Sequence, residues 1–177
     1  MRSLDRIAQW DLQLCLKLNR ICYRLTWRVL FRCISVLGDG IAWYGLMALL
    51  LLRYRNEAVM PVLHMMVVGM ICTAGYKLLK AHTSRPRPYQ VHRSIRHFIA
   101  PLDRFSFPSG HTLHAVAFSL IAVAYYPALT ASLTVFSVLV AASRVVLGLH
   151  YPSDVVAGAA IGGAIALASL KFLTLVA

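Results

Sequence analysis

Ser143-Arg144-Val145-Val146-Leu147-Gly148-Leu149-His150-Tyr151-Pro152-Ser153-Asp154 decides how this chain is read. An arginine, a histidine and a carboxylate emerge here between two apolar segments, 128–143 and 155–170. Hydrocarbon tolerates such groups poorly, so ionisable residues at the mouth of apolar segments point to function. On one unbroken helix Arg144 and His150 would lie about 120° apart, on different faces. Gly148 readily ends a helix, and Pro152 suits the first turn of the next. The stretch therefore predicts a helix-turn-helix corner at which the three side chains converge. A carboxylate beside an imidazole fixes its tautomer and supports its charged form, as a nucleophile or base requires. Alone, the stretch would equally suit a structural salt bridge at a membrane surface; the segments upstream weigh against that.

The 177 residues are 59% hydrophobic, and the apolar ones fall in runs: 33–52, 58–76 and 112–126 precede the two already named. Such runs cross a bilayer as helices. The fold expected is all-α, a polytopic membrane bundle of five to six helices in one domain over 1–177. Residues 1–32 carry Arg6, Lys17, Arg20, Arg24, Arg28 and Arg32, which on a helix share an arc of roughly 120°. So many cations suit an amphipathic helix lying in the interface, with the bundle proper over 33–177. Asp5, Asp11, Lys17 and Arg20 leave no uninterrupted core for a cleaved signal peptide.

The net charge of +12, with only six acidic residues, calls for an anionic partner. Nucleic acid is set aside, because no soluble segment remains to carry its surface. Membrane lipid and a phosphate-bearing substrate remain. The four cysteines lack C-x-x-C spacing and read as small buried hydrophobes. Asp39, inside Gly38-Asp39-Gly40, reads as a cap or interfacial carboxylate, and His64, alone in an apolar run, as a packing residue.

If each apolar run crosses once, three polar clusters fall on one side. They are Lys80 to Pro88, Pro108-Ser109-Gly110-His111, and Ser143 to Asp154. Together they supply three cations, two histidines and one carboxylate, with no second acidic residue to hold a metal. Arg85 and Arg87 each precede proline, which forces an extended path. Side chains two apart then diverge, so one arginine joins Lys80 and the other faces headgroups or solvent. Ser109 can cap a helix starting near Gly110, and such N-termini suit a phosphate.

The pattern K-x6-R-P, then P-S-G-H, then S-R-x5-H-x3-D resembles the signature of the type 2 phosphatidic acid phosphatase superfamily, membrane lipid phosphatases whose site is shared with vanadium haloperoxidases. All three motifs match in order, and the resemblance covers roughly residues 30–175. It implies that His150 attacks phosphorus to form a phosphohistidine, with Asp154 orienting it, and that His111 protonates the leaving oxygen. Lys80, Arg87 and Arg144 would neutralise the phosphate oxygens, joined by Ser109 and the Gly110 N–H, with no metal and no cofactor. Such a site must stabilise charge on the equatorial oxygens.

Three other readings compete. A phosphotransferase would use the same site with another lipid as acceptor. A halide-oxidising enzyme would hold vanadate, but those relatives are soluble and larger. A non-catalytic lipid-binding protein would not need an intact His150, Asp154 and His111 set. The resemblance leaves phosphatidic acid, phosphatidylglycerol phosphate and undecaprenyl diphosphate as substrates. It favours a multi-pass protein of the cell's inner membrane with the site facing outward. Arg53, Arg55 and Lys171 at the other end agree by the positive-inside rule, whereas the basic N-terminal helix pulls the other way.

Overall fold

The computed structural model describes residues 2–176, with side chains from 6 to 175. Every regular element among them is helical. Helix α1 (Arg2–Asn19) is followed by a tight turn at Arg20–Tyr23 and by α2 (Leu25–Val36). A wide turn at Leu37–Ile41 leads into α3 (Ala42–Tyr54), and Arg55–Ala58 reverses the chain into α4 (Val59–Thr83). The short α5 (Pro88–Val91) opens the long irregular segment that ends at α6 (Gly110–Tyr125). Then come α7 (Thr130–Val146) and α8 (Pro152–Val176).

The stretches Leu25–Val91, Pro127–Val146 and Pro152–Leu175 are long and apolar enough to cross a membrane, and α6 is a shorter apolar helix. Leu52, Leu167 and Phe172 point outward, as lipid-facing residues do. The molecule is thus a polytopic helix bundle. Its α6 is the central stave: Leu113, Ala115, Ala117, Ile121 and Ala122 are all fully buried. Helix α8 lies so close to α6 that a Cβ at Gly158 or Gly162 would strike the carbonyl oxygens of Ser109 and Leu113. Small residues allow this approach where water supplies no hydrophobic drive between helices. It also carries a backbone bond between the two helix starts, Ser109 N to Asp154 O at 3.0 Å.

The single helix expected over 1–32 is instead two. Arg24 is extended (φ −81°, ψ 127°), and the break frees carbonyls that Arg28 Nε takes up, bonding Cys22 O at 2.9 Å. The Arg28 guanidinium also stands 4.7 Å over the Phe98 ring. Helical periodicity could not foresee that one cation on the stripe would turn back on its own backbone. Helix α1 docks on the bundle through Asp11, Cys15 and Asn19, a stripe at four-residue spacing. Its Ile7, Trp10 and Leu14 stay exposed. The crossing expected at 33–52 begins at Leu25 and bends at Gly40, whose φ of 135° favours glycine.

Cys15, Cys22 and Cys72 are buried, but Cys33 is exposed on α2 and departs from the expectation. His64 packs away from the polar clusters, its ring nitrogens 3.1 Å from Tyr125 Oη and 2.9 Å from Ser169 Oγ.

Candidate active site

The corner between α7 and α8 forms as the sequence predicts. After Val146 the chain turns back on α7, and the Leu149 and His150 amides both donate to Arg144 O, at 3.0 and 3.1 Å. Gly148 makes the turn possible, with φ +76° and no room for a Cβ, which would come within 2.7 Å of Arg96 O and 2.9 Å of the Ile95 side chain. A side chain there would be strained and would collide with the 92–109 segment. Asn19 ties the same corner to α1 by donating to Val146 O (3.0 Å) and Arg96 O (2.8 Å).

His150 is 1% exposed. Its Nδ1 lies 2.6 Å from Ser106 O, so Nδ1 carries the proton and donates it there. The lone pair is thereby left on Nε2, which is 3.3 Å from Arg87 Nη1. Asp154 is not the direct partner: its Oδ2 stands 3.8 Å from Nδ1. That oxygen accepts from the Tyr151 amide (2.9 Å), while Oδ1 accepts from Arg85 Nη1 (2.6 Å). The expected contact gives way because the Ser106 carbonyl reaches Nδ1 first.

Arg85 corrects a second expectation. It does not face headgroups or solvent but bridges two carboxylates, Asp154 and Asp11 of α1, at 2.6 and 2.8 Å. Asp11 Oδ1 also accepts from the Ser153 amide, and its Oδ2 from the Ser153 hydroxyl. Backbone direction showed only that Arg85 and Arg87 diverge; which side held buried acids was invisible.

Arg87 turns to the other side and is 1% exposed. It donates to Leu149 O (2.7 Å) and to the Asp103 carboxylate (2.7 Å), whose other oxygen binds Lys80 Nζ at 2.6 Å. Arg144 is 3% exposed, and its Nη1 bonds Ser35 Oγ. Its Nε has no hydrogen-bond partner, and among the described residues no carboxylate pairs with it. His111, in the first turn of α6, sets its Nε2 3.2 Å from Asp39 Oδ1. Asp39 is therefore a member of this cluster and not a helix cap. Ser109 precedes α6, but its hydroxyl bonds Thr112 Oγ1 (3.0 Å) and not a backbone amide.

Lys80, Arg87, Arg144, Gly110, His111 and His150 all line one cavity of about 670 Å³. Asp39 and Asp103 line it too, so the site holds carboxylates beyond the one expected from the motifs. The cavity continues between α3, α4 and α6 past Trp43, Met47, Met66, Met70 and Phe118. A cationic head with an apolar throat has the polarity of a lipid carrying a terminal anion. Burial first, then the charges of Arg144, Arg87 and Lys80, holds the His150 imidazole well below its ordinary pKa, so it stays neutral.

The PAP2 superfamily pattern matches residues 58–175. Lipid A 1-phosphatase of Rhizobium etli is 34% identical over 90 residues, 49% of this chain and 39% of that protein. The match thus spans about two fifths of that relative's length. A transmembrane PAP2-type phosphatidylglycerolphosphate phosphatase from Bacillus subtilis shares the fold with a TM-score of 0.78 and 24% identity, over 97% of this chain and 88% of that one. LpxE from Aquifex aeolicus also has a TM-score of 0.78, with 28% identity over 90% and 94% of the two chains.

Proposed function

From the premise that this chain belongs to the PAP2 superfamily, we propose that it is a membrane lipid phosphatase that cleaves a terminal phosphomonoester or diphosphate bond through a phosphohistidine. The observation that carries the reading is Arg144: a buried guanidinium with no carboxylate partner among the described residues, beside Lys80, Arg87 and a neutral His150. An uncompensated buried charge is costly unless a ligand completes it.

In the reaction, His150 Nε2 attacks phosphorus in line with the ester oxygen, and the P–O bond to the lipid breaks. His111, whose Nε2 stands 3.2 Å from Asp39 Oδ1, gives its proton to that leaving oxygen. Lys80, Arg87, Arg144 and the Gly110 N–H hold the equatorial oxygens as charge spreads onto them, joined by Ser109 once its hydroxyl leaves Thr112 Oγ1. Water, giving a proton back to His111, then attacks phosphorus; the P–N bond to His150 breaks and phosphate leaves. Asp154 acts through Arg85 and the Tyr151 amide, which hold the corner that carries His150. The fixed cations serve in place of a metal.

The lipid's tails lie along the apolar throat. The candidates are phosphatidic acid, phosphatidylglycerol phosphate, undecaprenyl diphosphate and the 1-phosphate of lipid A, the last suggested by the name of the Rhizobium relative. The protein resides in the cell membrane with the site on the exterior face; Arg53, Arg55 and Lys171 at the far end support a cytoplasmic assignment there. Helix α1 lies in the interface on the site's side.

Phosphate release from these purified lipids, in detergent with chelator present, tests the reading. At least one should be hydrolysed, and His150→Ala should abolish turnover while remaining folded. No release from any phosphorylated lipid, or full activity in His150→Ala, would refute it. Transfer of the phosphoryl group to a second lipid without free phosphate would instead identify a phosphotransferase.

A further inference from the structure

Lys80 and Arg87, two of the three cations that the site offers to phosphate, are already engaged. Asp103 Oδ2 takes Lys80 Nζ at 2.6 Å and Asp103 Oδ1 takes Arg87 Nη2 at 2.7 Å. The Asp103 backbone carbonyl accepts from Arg87 Nε at 3.2 Å. A carboxylate and a phosphate present the same pair of acceptor oxygens to such a fork. Asp103 therefore stands where two phosphate oxygens would stand. It comes from the irregular stretch between α5 and α6, and its side chain is 35% exposed at the rim of the cavity.

We propose that Asp103 is a specificity-determining residue: its carboxylate holds the phosphate seat, yields it to a doubly charged terminal phosphate, and keeps it from the singly charged phosphodiester of an ordinary headgroup. The inference rests on the phosphatase reading above. An open cluster of three cations at a membrane surface would be filled by whatever anionic headgroups surround it. A tethered carboxylate competes at an effective concentration on the order of millimolar or more. A phosphodiester offers one negative charge and gains little by replacing another single charge. A terminal phosphate dianion keeps the contacts with Lys80 and Arg87 and adds Arg144, whose Nε lacks a partner, together with the N–H groups at the start of α6. Asp103 is an anion throughout the neutral range: burial raises its pKa, but the contacts with Lys80 and Arg87 more than offset this and hold it below the usual value.

The test uses the full chain in detergent, with orthovanadate and inorganic phosphate as probes and phosphatidylglycerol in mixed micelles as the singly charged competitor. In Asp103→Asn and Asp103→Ser both probes should bind about tenfold more tightly, the worth of one charged contact. Phosphatidylglycerol should turn from a bystander into a competitive inhibitor. Asp103→Glu, which keeps the charge, should stay within about threefold of the native protein. Unchanged or weaker phosphate and vanadate affinity in the Asn and Ser variants would overturn the proposal, since Asp103 would then be orienting the cations. Strong inhibition of the native protein by phosphatidylglycerol would overturn it as well, with no variant needed. Vanadate binding is read by calorimetry and needs no turnover. Tighter vanadate in the variants, with no phosphate release by the native protein, would sink the phosphatase reading and still support the seat.

Discussion

His150 stands between two groups of charges assembled on opposite principles. On its Nδ1 side, Arg85 joins Asp11 and Asp154, and the carboxylates are further bonded by the Ser153 and Tyr151 amides. One cation meets two acids there, and every acid has several donors. On its Nε2 side, Lys80 and Arg87 share the carboxylate of Asp103, Asp39 faces His111, and Arg144 has no carboxylate partner among the described residues. Paired charges in a bundle hold segments together; here they lock α1 and the α8 start around the corner that carries the histidine. Under-compensated charges are unstable until an anion arrives, and the protein tolerates them only where a ligand is to bind. The first group is therefore scaffold and the second is site, although both contain arginines from the same Arg-Pro-Arg-Pro run.

The sharpest way to break this contrast is Arg144→Met. Turnover of a soluble phosphomonoester should fall by about 100-fold or more, since a preorganised charge on the transition state is lost. The melting temperature in detergent should not drop, because a buried, unpaired cation is exchanged for an apolar chain of similar length. A fall of several degrees would mean that Arg144 is charge-compensated in the folded protein and belongs with the scaffold.

Arg85→Met should do the reverse. It leaves Asp11 and Asp154 buried and uncompensated, a loss of about 2–3 kcal/mol once the 27% exposure of the Arg85 side chain is discounted. Thermal unfolding should show that loss, while turnover in the surviving folded fraction falls less than in Arg144→Met. Adding Asp11→Asn to Arg85→Met should recover part of the stability, since one stranded charge disappears. Unchanged stability in Arg85→Met would erase the distinction between the two groups.

The division also explains what the sequence made legible. Lys80 to Pro88, Pro108 to His111 and Ser143 to Asp154 are each short continuous stretches at helix ends, where helix starts, proline direction and glycine breaks follow from neighbours in the chain. Their convergence needed only the alternation of crossings, so the bundle and the cationic cavity could be read. Asp11, Asp39, Asp103 and Ser106 could not. Asp11 meets Arg85 across 74 positions of sequence, and the Ser106 carbonyl meets His150 across 44. No spacing rule links such pairs, and a backbone carbonyl has no residue identity to notice. Asp103 lies in a segment without periodicity, so neither its direction nor its partners had a signal. The break at Arg24 escaped for a related reason: its apolar and cationic stripes run on in register, and only the tertiary contact of Arg28 with Phe98 marks the turn.

The finest effect expected concerns protons. His150 is buried among Arg144, Arg87, Lys80 and His111, while Asp154 on the other side is engaged by Arg85. Burial and those cations keep the imidazole neutral well below the ordinary value of about 6.5. In the unfolded chain the ring takes up a proton near that value, and in the folded protein it does not. The contribution to stability is therefore complete above about pH 6.5 and is lost as the pH falls toward the folded value. Activity follows the same sign, because the neutral Nε2 is the nucleophile, so the acid limb of kcat/KM should lie below pH 6.5. Lys80→Gln removes one of the cations and leaves the Asp103 carboxylate less neutralised, and both changes make protonating His150 easier. The acid limb should then move upward, a modest step because Lys80 is only one of the cations that act on the ring. A pH series on a soluble phosphomonoester at constant ionic strength reads this directly, even if the variant is slow. A limb that stays put or moves downward would mean that the Nε2-side cations do not set the state of the nucleophile, and that burial alone does.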